Sequence, residues 1–581
     1  MKLNRLIAAL GCAAMLMFSS CGEDYLYKSP QGSVSKDVLA TPLGVDMLVT
    51  TAYETLTRSG WGATPFNWTM GSMYGGDANK GSDPLDQSIL NEMEIYLVTA
   101  SNSYLNEKWD WVYRGNKRVE MALQLIEDVP DLDASVKATR QGELYFLRAL
   151  FYFEGVKVFG PFMPYIDETN TENDPKIPND VDIYPNILSD IDKAIANLPD
   201  RPDQLGRTYA WAAKALKAKI LMQQGNWQQA MPILADVVNN GSTASGLKYA
   251  LADDMTNNWD AAWDNKSPES IFEVQFSNDG NNNGNVGMSI CYPHNGGPGG
   301  CCGFFQPSFE LVNSFQVDDN GLPFLNNEYR TRPSVTTLTG EAPPNISVNS
   351  TTIAVDPRLD FAVGRVGIPY KDYGPAAGVW VRDVNNGGCF MPKKHVYYAR
   401  DEGNIGRGGM SDGWAPGSAL NIQYLSVRDI VLLYAECLAN DGNTSAAMEQ
   451  VNKVRRRAAL PVNIIMLDGA PAANYKVSEY PASHAAFSDR ETCIKAVRME
   501  RKLELAMEGQ RWFDLVRYGG DYMSQATGDY MKYEAQFIDK FNNRVPLAAN
   551  KTMFPVPSTQ INDMGNDENG NPYLKQAAPF Q

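Results

Sequence analysis

The sequence predicts a mostly α-helical protein. It reads as a scaffold of tetratricopeptide-like helix pairs carrying a large irregular, loop-rich region and a few short strands. Three observations predict this. Apolar residues recur at three- and four-residue intervals over residues 36–58, 104–128, 134–159, 184–198, 207–239, 427–457 and 488–518, the period of an amphipathic helix. A motif occurs twice, "AKILMQQGNWQQAM" at 218–231 and "AECLANDGNTSAAM" at 435–448, sharing A-x6-G-N-x3-A-M. Between the helical blocks, residues 240–426 lose that period and turn rich in Gly, Asn, Pro and aromatics.

The first residues read as a secretion signal. Lys2 and Arg5 give a positive start, Leu6 to Phe18 an apolar stretch, and Ser19 and Ser20 small residues before Cys21. The stretch falls short of the roughly 20 apolar residues of a membrane span, and no later run comes near that length. The expected organisation is a signal peptide at 1–20 and one domain over 21–581. Within that domain the helical scaffold occupies 36–239 and 427–518, and the ligand-binding region about 240–426.

Each copy of the repeated motif predicts a helix, a Gly-Asn turn and a second helix. The glycine permits a left-handed cap, and Leu234 with Val237, or Val451 with Val454, continues the apolar stripe. Pairs of this kind bury their faces by stacking on neighbours. In the irregular region "SIFEVQF" at 270–276 alternates as a short strand does, and residues 278–305 read as a long exposed loop.

Composition excludes several functions. Loss of residues 1–20 takes the net charge from −17 to −19, and no basic cluster with interleaved aromatics is present, which argues against a nucleic-acid partner. Eight cysteines in 581 residues are not a disulfide framework. Cys437 and Cys493 fall in helical patterns and read as buried thiols. Cys291, Cys301, Cys302 and Cys389 stand in glycine-rich surroundings where one disulfide can form, its pairing left open.

Catalytic motifs are weak throughout. His294, His395 and His484 are isolated. "GMSDG" at 409–413 matches a nucleophile elbow in letters only, because both flanks of Ser411 are loop-like. Glu500, Glu504 and Glu508 form a stripe on one helix face, with no E-x-x-H partner to make a metal site. Ion pairing along the helix with Arg501 and Arg511 accounts for it. No phosphate-binding glycine loop occurs, and no cofactor or metal ligand set is implied.

Aromatic residues in loops stand out instead. Trp61, Trp68 and Tyr74 lie in "GWGATPFNWTMGSMYGGDANKG" beside Asp77 and Asn79. Tyr292, Phe304 and Phe305 flank the glycine-rich loop, and Trp380 and Trp414 lie in other glycine-rich stretches. Flat rings beside Asp and Asn suit a ligand with apolar faces and many hydroxyls, such as a glycan. For any single ring a place in the core is an equal reading.

The segment "RMERKLELAMEGQRWFDLVRYG" at 498–519 resembles the signature block of the SusD/RagB family of Bacteroidetes outer-membrane lipoproteins, E-L-A-x-E-G-x-R-W-F-D-L-x-R. "WDWVYRGNKRVEMAL" at 109–123, "RQGELYFLRALFYFEGVKVFGPFMPY" at 140–165, "DPRLDFAV" at 356–363 and "NKTMFPVPSTQI" at 550–561 are similar to other family segments, in the same order. The resemblance implies a non-catalytic protein lipid-anchored through Cys21 to the outer membrane and facing the cell exterior. Ser19 and Ser20 resemble a relaxed lipobox, and Glu23 and Asp24 an acidic surface-export tag. It further implies a SusC-like TonB-dependent transporter as partner and an oligosaccharide ligand, held by loops near residues 61–105 and 280–305. Arg511 and Trp512 read as scaffold. Peptide or other nutrient cargo in the same role is the first alternative, and a secreted glycoside hydrolase the second.

Overall fold

The computed structural model describes residues 36–57, 60–170, 176–277, 284–339, 346–405 and 417–581. Cys21, Ser411 and Trp414 lie outside the described residues.

The long helices are Pro42–Glu54 (α1), Ser103–Glu127 (α2), Ala134–Phe159 (α3), Tyr184–Asn197 (α4), Ala210–Gln223 (α5), Trp227–Asn240 (α6), Val427–Asn440 (α7), Thr444–Ala458 (α8), Arg490–Glu504 (α9), Arg511–Arg517 (α10) and Gly520–Glu534 (α11). The first three are capped by side chains at their starts. The Thr41 hydroxyl accepts from Gly44 N–H (3.0 Å) ahead of Pro42 at the first turn of α1. Asn102 and Asp133 do the same for α2 and α3. The four strands that matter below are β1 (Ala78–Gly81), β2 (Ser270–Val274), β3 (Phe304–Pro307) and β4 (Ile422–Ser426). β1 pairs antiparallel with β3, from Ala78 opposite Pro307 to Gly81 opposite Phe304. β2 pairs antiparallel with β4.

The repeated motif forms two helix pairs, α5–α6 and α7–α8, whose turns place Gly225 and Gly442 at φ of 79° and 83°. The two copies, some 200 residues apart in sequence, also meet. α7 packs on α6, the Cys437 thiol lies 3.3 Å from Met222 Sδ, and Lys219 pairs with Asp429 at 2.5 Å. The small Ala212, Ala215, Ala435 and Ala439 are fully enclosed, and this permits the close approach.

Three expectations are corrected here. The helix predicted over 488–518 breaks between α9 and α10. Gly509 has φ 71°, and a Cβ on it would fall 1.9 Å from the Phe66 carbonyl oxygen. A Cβ on Gly71 would likewise meet the Gly509 carbonyl, so two backbones touch at a point where only glycine fits. Helix α11 has no counterpart in the sequence reading. Its buried face runs Met523, Thr527, Tyr530, Met531 and Glu534, and two of those helical positions are polar.

The glutamate stripe is the third correction. Glu500 and Glu504 are buried, the Glu508 side chain is 9% exposed, and their partners come from other elements. Glu500 pairs with Arg358 (2.6 Å) and Arg455 (3.1 Å), Glu504 with Arg358 (3.1 Å) and Arg457, and Glu508 with Arg428 (2.9 Å) and Lys394 (2.7 Å). Arg457 and Arg428 also share Glu269, at the start of β2. Arg501 turns to the other side of α9, gripping Asp514 of α10 and Asp429 of α7 at 2.9 Å each. The row therefore bolts α9 to α7, α8 and the irregular region at once.

Burial alone would raise the Glu504 carboxyl, but Arg457, Arg358 and Lys394 outweigh it and hold the group at about 2. Glu504→Gln should therefore lower unfolding free energy at pH 7 by about 3–5 kcal/mol, since two buried guanidiniums lose a charged partner. A folded-state value below the ordinary 4.5 means that the stabilisation is full above about pH 4.5 and disappears as pH falls toward 2. Denaturant melts across that window should show a shallower loss in the variant than in the wild type.

Candidate ligand-binding face

The residues proposed from sequence divide sharply by burial. Trp68, Tyr74, Asp77, Asn79, Tyr292, Phe304 and Phe305 are at most 2% exposed. Only Trp61 and Trp380, among the described residues of that set, keep part of their ring in solvent.

The buried members form the joint between the irregular region and the signature block. Tyr74 packs edge-on against Trp512 (4.6 Å between centroids) and Tyr96 (4.9 Å). Trp68 donates its indole N–H to the Gly287 carbonyl (3.1 Å) and lies 5.8 Å from Phe305 and 6.4 Å from Phe304. Asn79 on β1 accepts from the Tyr530 hydroxyl (2.7 Å) and donates to Glu534 (3.1 Å), both on α11. Burial lifts the Asp77 carboxyl to about 6, against the opposing pull of Arg511 and Lys502, and the group is walled in behind the Met507 backbone. These seven side chains are core and cannot meet a ligand in this conformation, which corrects their assignment as contacts.

The glycine-rich loop is not the exposed excursion expected of it. Residues 284–303 fold back onto the two rings they flank. A Cβ on Gly299 would sit 2.5 Å from the Tyr292 ring, and one on Gly297 would sit 2.8 Å from the Trp380 indole. Tyr292 is thereby shut in against Tyr397 (5.5 Å), whereas Trp380 meets Tyr370 edge-on at 5.8 Å and stays partly exposed. Within this loop Cys301 and Cys302 form a disulfide with each other; Cys291, Cys389, Cys437 and Cys493 are buried free thiols.

A continuous strip of contacts joins the two half-exposed indoles. Trp61 donates to the Ser289 hydroxyl (3.0 Å). Its neighbour Gly62 gives its N–H to Glu107 of α2 (2.9 Å) and lies against Tyr104, too close for a side chain. The Tyr104 hydroxyl donates to Gln87 (3.1 Å). Beside Gln87, Asp86 and Asp83 hold Arg382 at 2.6 and 2.5 Å, each of the three side chains about one-third exposed. Buried Lys80 shapes that 82–87 turn from beneath, donating to the carbonyls of Asp83 (2.9 Å) and Asp86 (2.8 Å). The strip ends at His294, whose N–H reaches the Trp380 carbonyl (2.7 Å). Burial, with help from the Arg382 charge, pulls the His294 imidazole below its usual range, so it is neutral at pH 7. Burial pushes the Glu107 carboxyl up, partly offset by the Gly62 N–H.

Sequence reasoning missed Gln87, Glu107, Asp83, Asp86, His294 and Arg382. One signal was available: Arg382 is two residues beyond Trp380 with an extended Val381 between, a spacing that puts both on one face. The assembled strip has two flat apolar surfaces, a fixed guanidinium, carboxylates, an amide and a neutral imidazole. That set can pack on C–H faces and exchange hydrogen bonds with hydroxyls.

The fold is thus a helical scaffold presenting a partly exposed, aromatic and polar loop face. The chain matches the SusD family over residues 268–573 and, over residues 24–222, the family described as starch-binding associating with outer membrane. It belongs to the SusD family. A SusD-like protein of Bacteroides ovatus is 22% identical over 533 residues, covering 87% of this chain and 80% of the relative. Two solved structures share the fold. A laminarin-binding SusD-like protein has a TM-score of 0.62 at 21% identity, covering 93% of this chain and 99% of the other. Surface glycan-binding protein A of Bacteroides thetaiotaomicron, in complex with laminarihexaose, has a TM-score of 0.60 at 17% identity, covering 90% and 98%.

The two kinds of aromatic should separate in stability. Trp68→Ala should lower unfolding free energy by about 3–5 kcal/mol, and Trp380→Ala by less than half of that, in parallel urea melts.

Proposed function

We propose that the protein is a cell-surface lipoprotein, anchored through Cys21, that captures oligosaccharide or polysaccharide and passes it to a SusC-like TonB-dependent outer-membrane transporter without cleaving it. One observation carries the ligand class: Trp61 and Trp380 are partly exposed at the two ends of a strip whose other members are Glu107, Gln87, Asp86, Arg382 and His294. Indoles take the C–H face of a sugar ring, and planar polar side chains take its hydroxyls. Family membership supports the reading, as does the description of related proteins as laminarin-binding or glycan-binding. The outer-membrane association in the family description supports the location. Among the described residues, no helix is long and apolar enough to cross a membrane, so attachment falls to the anchor.

Two features favour binding without turnover. The carboxylates most open to solvent in the strip, Asp83 and Asp86, are both committed to Arg382. The glutamates of α9 are consumed by buried ion pairs.

Calorimetric titration against a panel of neutral oligosaccharides that includes laminarihexaose tests this. At least one should bind and be recovered intact, and Trp61→Ala and Trp380→Ala should each weaken it roughly tenfold, about 1.4 kcal/mol. Absence of binding across the panel, shortened products, or affinity unchanged in both variants would overturn the reading.

A further inference from the structure

A cavity opens beside the loop 366–376, which precedes Trp380 and is closed by bridges between Val366 and Ala376 and between Pro369 and Pro375. Tyr370 faces the Trp380 indole, and Lys371, the next residue, lines a cavity of about 280 Å³. Its apolar walls are Trp259, Phe361 and Ile465. These belong to a small apolar cluster with Met255, separate from the main core. Lys394, which also lines the cavity, and Arg428 lie 4.6 and 5.3 Å from the Trp259 ring.

The charges in this cavity do not balance. Lys371 donates to the carbonyl oxygens of Trp259 (3.0 Å) and Val396, and Lys393 to those of Asp360 (2.5 Å) and Pro369 (2.8 Å). Neither ammonium has a carboxylate within ion-pair distance among the described residues. This contrasts with their neighbour Lys394, which pairs with Glu508. The nearest acids are engaged elsewhere. Asp260 holds Arg400, Asp372 accepts the N–H groups of Ala399 (2.6 Å) and Arg400 (3.0 Å), and the Asp360 carboxylate grips Arg365. An ammonium carries three donors, so each lysine keeps one after its two carbonyls are served. Charge held away from water without a counter-charge is unfavourable; of the two, Lys393 is buried and Lys371 partly so. Burial, reinforced by the mutual repulsion of the pair, lowers Lys371 to about 7, and burial lowers Lys393 to about 8.

We propose that this cavity is a binding site for a carboxylate borne on a ring, the carboxylate meeting Lys371 and Lys393 and the ring lying on Trp259, Phe361 and Ile465. A sugar acid and an aromatic acid share that chemistry. The inference does not rest on the glycan face and would survive its failure, because the two sites have no lining residue in common.

Calorimetry at pH 7 with sodium benzoate and sodium glucuronate, each beside its neutral counterpart benzyl alcohol or glucose, tests the site and distinguishes the two sources. At least one carboxylate should bind, at least tenfold more tightly than its neutral counterpart. Lys371→Gln keeps a donor for one carbonyl but removes the charge, and should weaken that binding at least tenfold. Ile465→Trp fills the cavity from its rim and should abolish binding, which keeps the test open if the lysine variant fails to fold. No binding of either carboxylate, equal binding of the neutral compounds, or affinity unchanged in a folded variant would overturn the proposal.

Discussion

The fold depends on a row of three carboxylates, buried Glu500 and Glu504 and nearly buried Glu508, that no single element can satisfy. Their cations come from Arg358 and Lys394 in the irregular region, Arg428 on α7, and Arg455 and Arg457 on α8. Each group is costly to bury alone, so all of these segments must be in place together. The interaction specifies an arrangement more than it adds stability. It fixes where the loop-rich region sits on the helix pairs, and the positions of Trp61 and Trp380 follow from that.

The constraint is relayed outward by packing. The turn after α9 brings Gly509 against Gly71, and this backbone contact aligns Trp68 and Tyr74 with Trp512. The Trp68 indole then holds Gly287, at the start of the loop that folds over Tyr292 and leaves Trp380 half open. The proposed ligand-binding face is thus presented by a rigid support, and an open aromatic site gains most from such a support, since ordering of its rings need not accompany binding.

Much of the scaffold was legible in the sequence. The three- and four-residue periods and the Gly-Asn turns report local geometry, and local geometry survives into the fold in α2, α3 and the α5–α6 and α7–α8 pairs. What failed was whatever depended on distant chain. Glu500, Glu504 and Glu508 have Arg501 and Arg511 close in sequence, and only the fold shows that Arg358, Arg428, Arg455 and Arg457 pair with them instead. A tryptophan in a glycine-rich stretch looks exposed because the stretch cannot form a helix. Yet the same glycines let 284–303 lie flat on Tyr292, and composition gives no means of telling Trp68 from Trp380. Helix α11 was hidden because Thr527 and Glu534 occupy buried positions that an apolar pattern expects to be greasy, the latter to receive Asn79 and the Glu310 N–H.

The central claim is that a ligand meets the half-exposed indoles while the buried aromatics of the same loops only support them. A crystal structure with a bound oligosaccharide tests it most directly. The account predicts a sugar ring in van der Waals contact with Trp61 or Trp380 and a hydroxyl hydrogen-bonded to Arg382, Asp86 or Gln87, with Trp68, Tyr74 and Tyr292 still enclosed. A sugar bound away from both indoles, or one that draws Trp68 or Tyr292 out of the core to reach it, would contradict the account.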